Sequence, residues 1–300
     1  IVLKNQSLLG QKEISIDYHC MGDTIKNLLG VNRKPDKKLN GYVEGGIKLV
    51  RMHDDRVNDY QYLSDFWNFQ AELDSFVSIN ESFDPDNPEH YHWDICDSVI
   101  NRIVSNNMEV YFRIGISWPL SNSYPKPPLT PPFDPDGINF TKFARMSQKF
   151  VSHFNDSWDN GLKAGIGYWE IWNEPGGEFW VGSKYDFYKM FHAVFDSLKS
   201  YDSQLKIGGP GALPSAVVLP SEKYYGDFLQ YAWDNDINLD FYSWHLYGAK
   251  NPYGIKNFAE QVRNKLDSIG FENAESHITE INYELGDAQK LLNDNVKGAA

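Results

Sequence analysis

Apolar residues in this chain recur in two registers: short dense runs, and longer stretches in which they return every three to four positions. The dense runs read as strands. They lie at 47–52 after Gly45-Gly46, and at 109–116, 166–172, 205–208, 239–246 and 277–281, while 12–18 (Lys-Glu-Ile-Ser-Ile-Asp-Tyr) alternates and reads as a first strand. Between them the helical period is clear. Trp93, Cys96, Val99, Ile100, Ile103 and Val104 share one face, as do Phe143, Met146, Phe150, Val151 and Phe154. Ser183 and Asp186 have the spacing of a capping box and precede the stripe Phe187, Met190, Phe191, Val194, Phe195, Leu198. Residues 224–233, then Phe258, Val262, Leu266 and Ile269, and finally 287–300 continue the alternation.

Two segments break it. Between His53 and Tyr91 periodicity is weak, with a short helix expected around 60–76. Residues 119–136 hold seven of the fifteen prolines, too many for a regular element, so a long loop is expected there. Seven strands alternating with helices in 300 residues predict an α/β fold, a (β/α)8 barrel in one domain over 1–300, with 1–11 left over from an upstream or accessory β element. The eighth strand is missing and is expected just beyond Ala300. An open doubly wound sheet is disfavoured, because no Gly-x-Gly-x-x-Gly or phosphate loop follows any strand.

Composition narrows the partners. A net charge of −13 repels nucleic acid and acidic membrane surfaces, and no apolar run reaches the roughly 18 residues of a membrane helix. An aromatic content of 15% exceeds what core filling asks for and favours a carbohydrate partner. Cys20 and Cys96 fit no metal spacing and read as free buried thiols; neither cofactor nor metal is expected. The chain lacks an initiating Met and starts inside the apolar run Ile1-Val2-Leu3, so an upstream segment is expected, and with it a secreted or periplasmic location.

In a barrel, chemistry collects where strands end at the carboxyl face. The second expected strand ends in Arg51 and His53; the fourth ends in Asn173-Glu174, where Pro175-Gly176-Gly177 turns the chain. The sixth ends in His245 and Tyr247, the seventh in Glu280 and Asn282. Glu174 and Glu280 therefore face each other across the barrel mouth. Two carboxyl groups so placed can cleave a glycosidic bond, one as acid, the other as nucleophile or base, and their separation decides between retention and inversion. Glu170 alternates with Glu174 along the fourth strand and is a candidate supporting carboxylate.

Trp169-Glu170-Ile171-Trp172-Asn173-Glu174-Pro175 together with Ile278-Thr279-Glu280-Ile281-Asn282 resembles the clan A glycoside hydrolases. The resemblance is closest to family 39, which holds β-xylosidases and α-L-iduronidases, and it spans roughly residues 20–285. Val50-Arg51-Met52-His53, residues 91–97, Gly208-Gly209-Pro210 and Ser243-Trp244-His245-Leu246-Tyr247 support it. It implies Glu174 as acid/base and Glu280 as nucleophile. It further implies Asn173 on the sugar 2-hydroxyl, Tyr247 holding Glu280, and His53 and His245 on sugar hydroxyls. Arg51 would favour the charged nucleophile, and Trp180 would form an aromatic wall.

The chain departs from that pattern in lacking the eighth strand and the β-sandwich that usually follows the barrel, and in the length of 54–90. That segment and 119–136 should overhang the mouth, which suits an exo-acting enzyme that removes terminal sugars. Only Lys250 could meet the carboxylate of an iduronide, so neutral glycosides, β-xylosides first, are the expected substrates. The alternatives are an endo-acting glucanase or xylanase of the same clan, and a non-catalytic carbohydrate-binding barrel.

Overall fold

The computed structural model describes residues 29–32, 39–52, 83–91, 93–115, 132–176, 179–180, 182–213, 224–247 and 253–282, and four short strands between 55 and 79 as backbone. The strand expected at 12–18, residues 1–11 and the helix expected at 287–300 lie outside them.

Among the described residues one sheet holds seven strands: β1 (Gly30–Asn32), β2 (Leu49–Arg51), β3 (Glu109–Ile114), β4 (Tyr168–Ile171), β5 (Lys206–Ala212), β6 (Phe241–Tyr247) and β7 (Glu275–Asn282). They lie side by side in chain order, and every pair is parallel. Its outer strands meet: Asn32 Nδ2 on β1 donates to the Thr279 carbonyl on β7 at 2.9 Å. This is a (β/α)8-type barrel with seven strands in place, as the alternation of patterns predicts.

Helices α1 (Leu39–Glu44), α2 (Asp94–Val104), α3 (Thr141–Asp156), α4 (Lys184–Tyr201), α5 (Tyr224–Asp234) and α6 (Tyr253–Ile269) connect the strands. The capping box at the start of α4 is formed: Ser183 Oγ accepts from the Asp186 amide while the Asp186 carboxylate accepts from that of Ser183. Behind it Phe187, Met190, Phe191, Val194 and Leu198 are wholly buried, each worth roughly 1.5–3 kcal/mol of transfer free energy.

Side chains on β4 alternate in direction. Trp169 and Ile171 point out into the helix layer, where Trp169 packs on Phe112; Tyr168 and Glu170 point into the barrel. At the amino end of the interior, Tyr111, Tyr168, Phe241 and His277 form a ring of aromatic contacts. Glu275 ties that floor together, accepting from Tyr168 Oη at 3.0 Å, pairing with Lys206, and meeting His277 Nε2 at 2.9 Å.

The described strands add to or differ from the sequence pattern in three places. The sheet's first described strand is Gly30–Asn32, a three-residue run too short to stand out in the pattern. Within the helix expected at 60–76 the described residues are strands: Asp55–Asn58 pairs with Gln61–Leu63 and Leu73–Asp74 with Ser78–Ile79, both antiparallel, and the remainder of that span lies outside the described residues. Tyr-Gln-Tyr-Leu at 60–63 is β-favouring and the segment lacks a 3.6-residue stripe. The fifth strand does not stop at Gly208 but runs through Gly-Pro-Gly to Ala212, because β6 supplies partners beyond the glycines, with a register shift where Pro210 brings no amide.

Candidate active site

The end of β4 is built by an unusual backbone path. Trp172 still donates to the Ile114 carbonyl at 2.7 Å, but its φ is 71°, and that of Glu174 is 46°. Both are left-handed, a conformation that costs a side-chain-bearing residue roughly 1–2 kcal/mol. Neighbours hold it in place. Glu174 N donates to the carbonyls of Pro210 and Gly211, and Trp172 Nε1 donates to the Phe179 carbonyl. Gly115, itself at φ 124°, has no room for a Cβ, which would fall 2.5 Å from the Trp172 ring. The chain therefore turns sharply after Ile171 and delivers Asn173 and Glu174 to the carboxyl face of the sheet.

Opposite them, β7 and β6 meet in register, His245 beside Glu280. Glu174 Oε1 lies 2.5 Å from His245 Nδ1, within hydrogen-bond distance. On the other side of the imidazole, Nε2 lies 3.5 Å from Glu280 Oε1 with no hydrogen-bond partner of its own. One ligand-type atom each of Glu174, His245 and Glu280 fall within 4.8 Å of one another.

Glu280 is held from two directions. Tyr247 Oη donates to its Oε2, and Arg51 Nη1 donates to its Oε1 at 2.8 Å. Burial, and then the charge of Glu280, keep the Tyr247 hydroxyl protonated far above its ordinary range, so it serves as a donor only. Arg51 is buried and spends its donors on four residues. Nε reaches Glu170 Oε2 at 2.6 Å, Nη1 reaches Glu280 and also Asn32 Oδ1 at 3.1 Å, and Nη2 reaches Asn173 Oδ1 at 2.9 Å. Burial alone would discourage its charge, but Glu170 and Glu280 more than reverse this, and Arg51 stays cationic.

Of the residues singled out in the sequence, the structure brings together Arg51, Asn173, Glu174, His245, Tyr247 and Glu280. His53 lies outside the described residues, as does Lys250. Trp180 is only 6% exposed. Its ring meets Trp172 and Phe187 edge-on and its Nε1 donates to the Ser183 carbonyl, so as placed it is packing for the β4 turn rather than a free aromatic face. His153, between the Trp158 carbonyl and Asp97, and the thiol of Cys96 are buried structural groups. Asn32 was not anticipated. The signal was present, since Leu28-Leu29-Gly30-Val31 is an apolar run ending in a polar residue, like the other strands of the site.

The three-residue cluster is the one group among the described residues that could ligate a cation. Its electrostatics disfavour one, because the Arg51 guanidinium already lies against Glu280 and supplies the positive charge that the carboxylate needs. What the arrangement can do is position two carboxyl groups with opposite duties. One lies against an imidazole and is partly open to solvent. The other is kept anionic by a guanidinium and a phenol.

A parallel barrel whose mouth carries such a pair, on the fourth and seventh strands, holds two carboxyl groups close enough to flank one glycosidic bond. Residues 139–282 match the model of glycosyl hydrolases family 39. A β-xylosidase of Geobacillus stearothermophilus is 27% identical over 173 residues, covering 54% of this chain and 32% of the relative. In fold, the chain is similar to a glucosidase from Croceicoccus marinus (TM-score 0.68, 22% identity, 86% of this chain and 52% of that one). It is also similar to a monomeric β-xylosidase from Caulobacter crescentus (TM-score 0.59, 16% identity, 86% and 52%). The chain thus spans about half the length of these solved structures and a third of the curated relative.

Proposed function

We propose that this protein is a retaining glycoside hydrolase that removes terminal sugars from neutral glycosides, β-xylosides first. The observation that carries retention is the closeness of the carboxyl groups: an oxygen of Glu174 lies within 4.8 Å of one of Glu280. Retaining pairs stand about 5–5.5 Å apart, whereas inverting pairs need roughly 6.5–9.5 Å to admit a water between them.

Glu280, anionic against Arg51 and Tyr247, attacks the anomeric carbon, while Glu174 passes its proton to the departing oxygen. A glycosyl ester on Glu280 results. Glu174, now a base, takes a proton from water, which attacks the same carbon and releases the sugar with its configuration kept. His245 Nδ1 lies 2.5 Å from Glu174 Oε1 and so holds the acid in place between the two half-reactions. Asn173, its Oδ1 fixed by Arg51 Nη2, turns its amide donors to the sugar 2-hydroxyl.

The choice of substrate rests on the β-xylosidase relatives, and the removal of terminal sugars on the length in sequence of the segments that follow β2 and β3. The deciding experiment is a panel of p-nitrophenyl glycosides (xyloside, glucoside, galactoside, arabinoside, iduronide), with the anomer of the first-formed sugar read by proton NMR. Fastest turnover of the xyloside with retained configuration is expected. An inverted first product would reject the mechanism, and a preference for iduronide would reject the substrate.

A further inference from the structure

Glu170 lies deep in the barrel, 0% exposed, and takes no part in the two displacement steps. A buried carboxylate is a poor means of stabilising a fold: an apolar side chain of similar size at such a place serves as well or better. What distinguishes Glu170 is whom it touches. Its Oε2 accepts from Arg51 Nε at 2.6 Å, and its Oε1 accepts from Thr279 Oγ1, next in sequence to Glu280, at 3.3 Å. The guanidinium is planar, so fixing its Nε edge fixes the direction of the other two nitrogens. Those nitrogens reach Glu280 and Asn173. Arg51 moreover sits between two carboxylates, Glu170 and Glu280, so its charge is shared.

We propose that Glu170 is a positioning residue for the reaction: it aims Arg51 at Glu280 and Asn173 together, and by claiming part of the guanidinium's charge it keeps Glu280 basic enough to attack. The inference rests on Glu280 being the nucleophile. An Arg51 paired with Glu280 alone would stabilise the carboxylate more strongly and blunt it. The charged and titratable groups around Glu280 are Arg51 on β2, Glu170 and Glu174 on β4, and His245 and Tyr247 on β6. On β3, Arg113 alternates with Tyr111 and faces the same interior. Of these, Glu170 alone meets Arg51 without meeting the sugar.

The test is Glu170→Gln in the full chain, which keeps the shape and an acceptor for Arg51 Nε but removes the charge. The acid limb of the kcat/KM profile on p-nitrophenyl xyloside is expected to move to lower pH by about one unit, as for loss of a like charge near a carboxylate. The glycosylation rate should fall on the order of tenfold with KM little changed. Thr279→Val removes a hydrogen bond to Glu170 and no charge; its acid limb should stay with wild type. An E170Q limb superimposed on wild type, or a T279V limb displaced as far as that of E170Q, overturns the proposal. Should E170Q not accumulate as folded protein, Glu170→Asp keeps the charge and withdraws the carboxylate. An unmoved acid limb with lowered kcat then supports the proposal, and a wild-type kcat overturns it. In parallel, each variant is labelled with a 2-deoxy-2-fluoro xyloside and digested. Label on the peptide carrying Glu280 beside an unmoved E170Q limb rejects the role of Glu170 only, whereas label elsewhere rejects the nucleophile assignment itself.

Discussion

Replacing Arg51 by Met tests the central claim that one guanidinium neutralises two interior carboxylates. Met is nearly as long and fills much of the same volume, so packing loss is small and charge dominates. In the native barrel the Arg51 side chain is 5% exposed, with Glu170 at 0% and Glu280 at 8%. Removing the cation strands two carboxylates in a nearly dry interior and leaves the Asn173 and Asn32 oxygens without a shared donor. Breaking a buried ion pair from one side costs about 3–5 kcal/mol. At roughly 2 °C per kcal/mol for a domain of this size, Tm should fall by about 6–10 °C.

The pH dependence carries a sign. In R51M the folded state resists ionising these carboxylates more than the unfolded chain does, so the native state binds the extra proton. The deficit in stability should therefore shrink as pH falls from 7 toward 4.5, opposite to ordinary acid denaturation. Adding Glu170→Leu removes one of the two orphans, so R51M/E170L should be more stable than R51M, a coupling that additive effects cannot produce. Thermal unfolding followed by circular dichroism at pH 7 and pH 5 measures all three. A Tm within 2 °C of wild type at pH 7, or a deficit that widens in acid, would refute the reasoning.

Glu280→Ala should abolish hydrolysis of every aryl glycoside, while Glu174→Ala should spare 2,4-dinitrophenyl more than p-nitrophenyl substrates, because a good leaving group needs less protonation; equal losses would undo the division of roles. Gly115→Ala should destabilise the barrel by roughly 1–3 kcal/mol and lower kcat, since its Cβ would meet Trp172 at 2.5 Å on a backbone with φ 124°; urea unfolding and turnover at saturation read the two effects. At the barrel floor, burial holds the His277 pKa below 6.5, and although burial pushes Glu275 up, its hydrogen bonds with Lys206, His277 and Tyr168 bring it below 4.5. Both groups take up protons more readily when unfolded, so stability falls with acid, first below about pH 6.5 and again below about pH 4.5. His277→Gln should flatten the first slope in a pH series of Tm, and an unchanged slope would count against it.

How far the sequence reveals this molecule depends on the range of the interaction. The strands at 109–116, 166–172 and 239–246 announce themselves because a barrel strand is buried on both faces, and burial writes a dense local run of apolar residues; those at 47–52 and 277–281 are shorter or less buried but keep an apolar run before the polar strand end. The strand Gly30–Asn32 has three residues, none of them fully buried, and a signal that short and that weakly apolar drowns in its surroundings. For the site, the rule that polar groups gather at strand ends finds Arg51, Asn173, Glu174, His245, Tyr247 and Glu280, since each ends an apolar run. It misjudges Trp180, because an aromatic residue after a turn reads the same whether it faces a sugar or seals the turn against Trp172. Glu170 shows the deeper limit. Its alternation with Glu174 tells that it points inward, but its meaning lies in Arg51, 119 positions earlier in the chain, and in Thr279, 109 positions later. Only closing the barrel brings those strands together and turns a buried carboxylate from a liability into the partner that sets the nucleophile's charge.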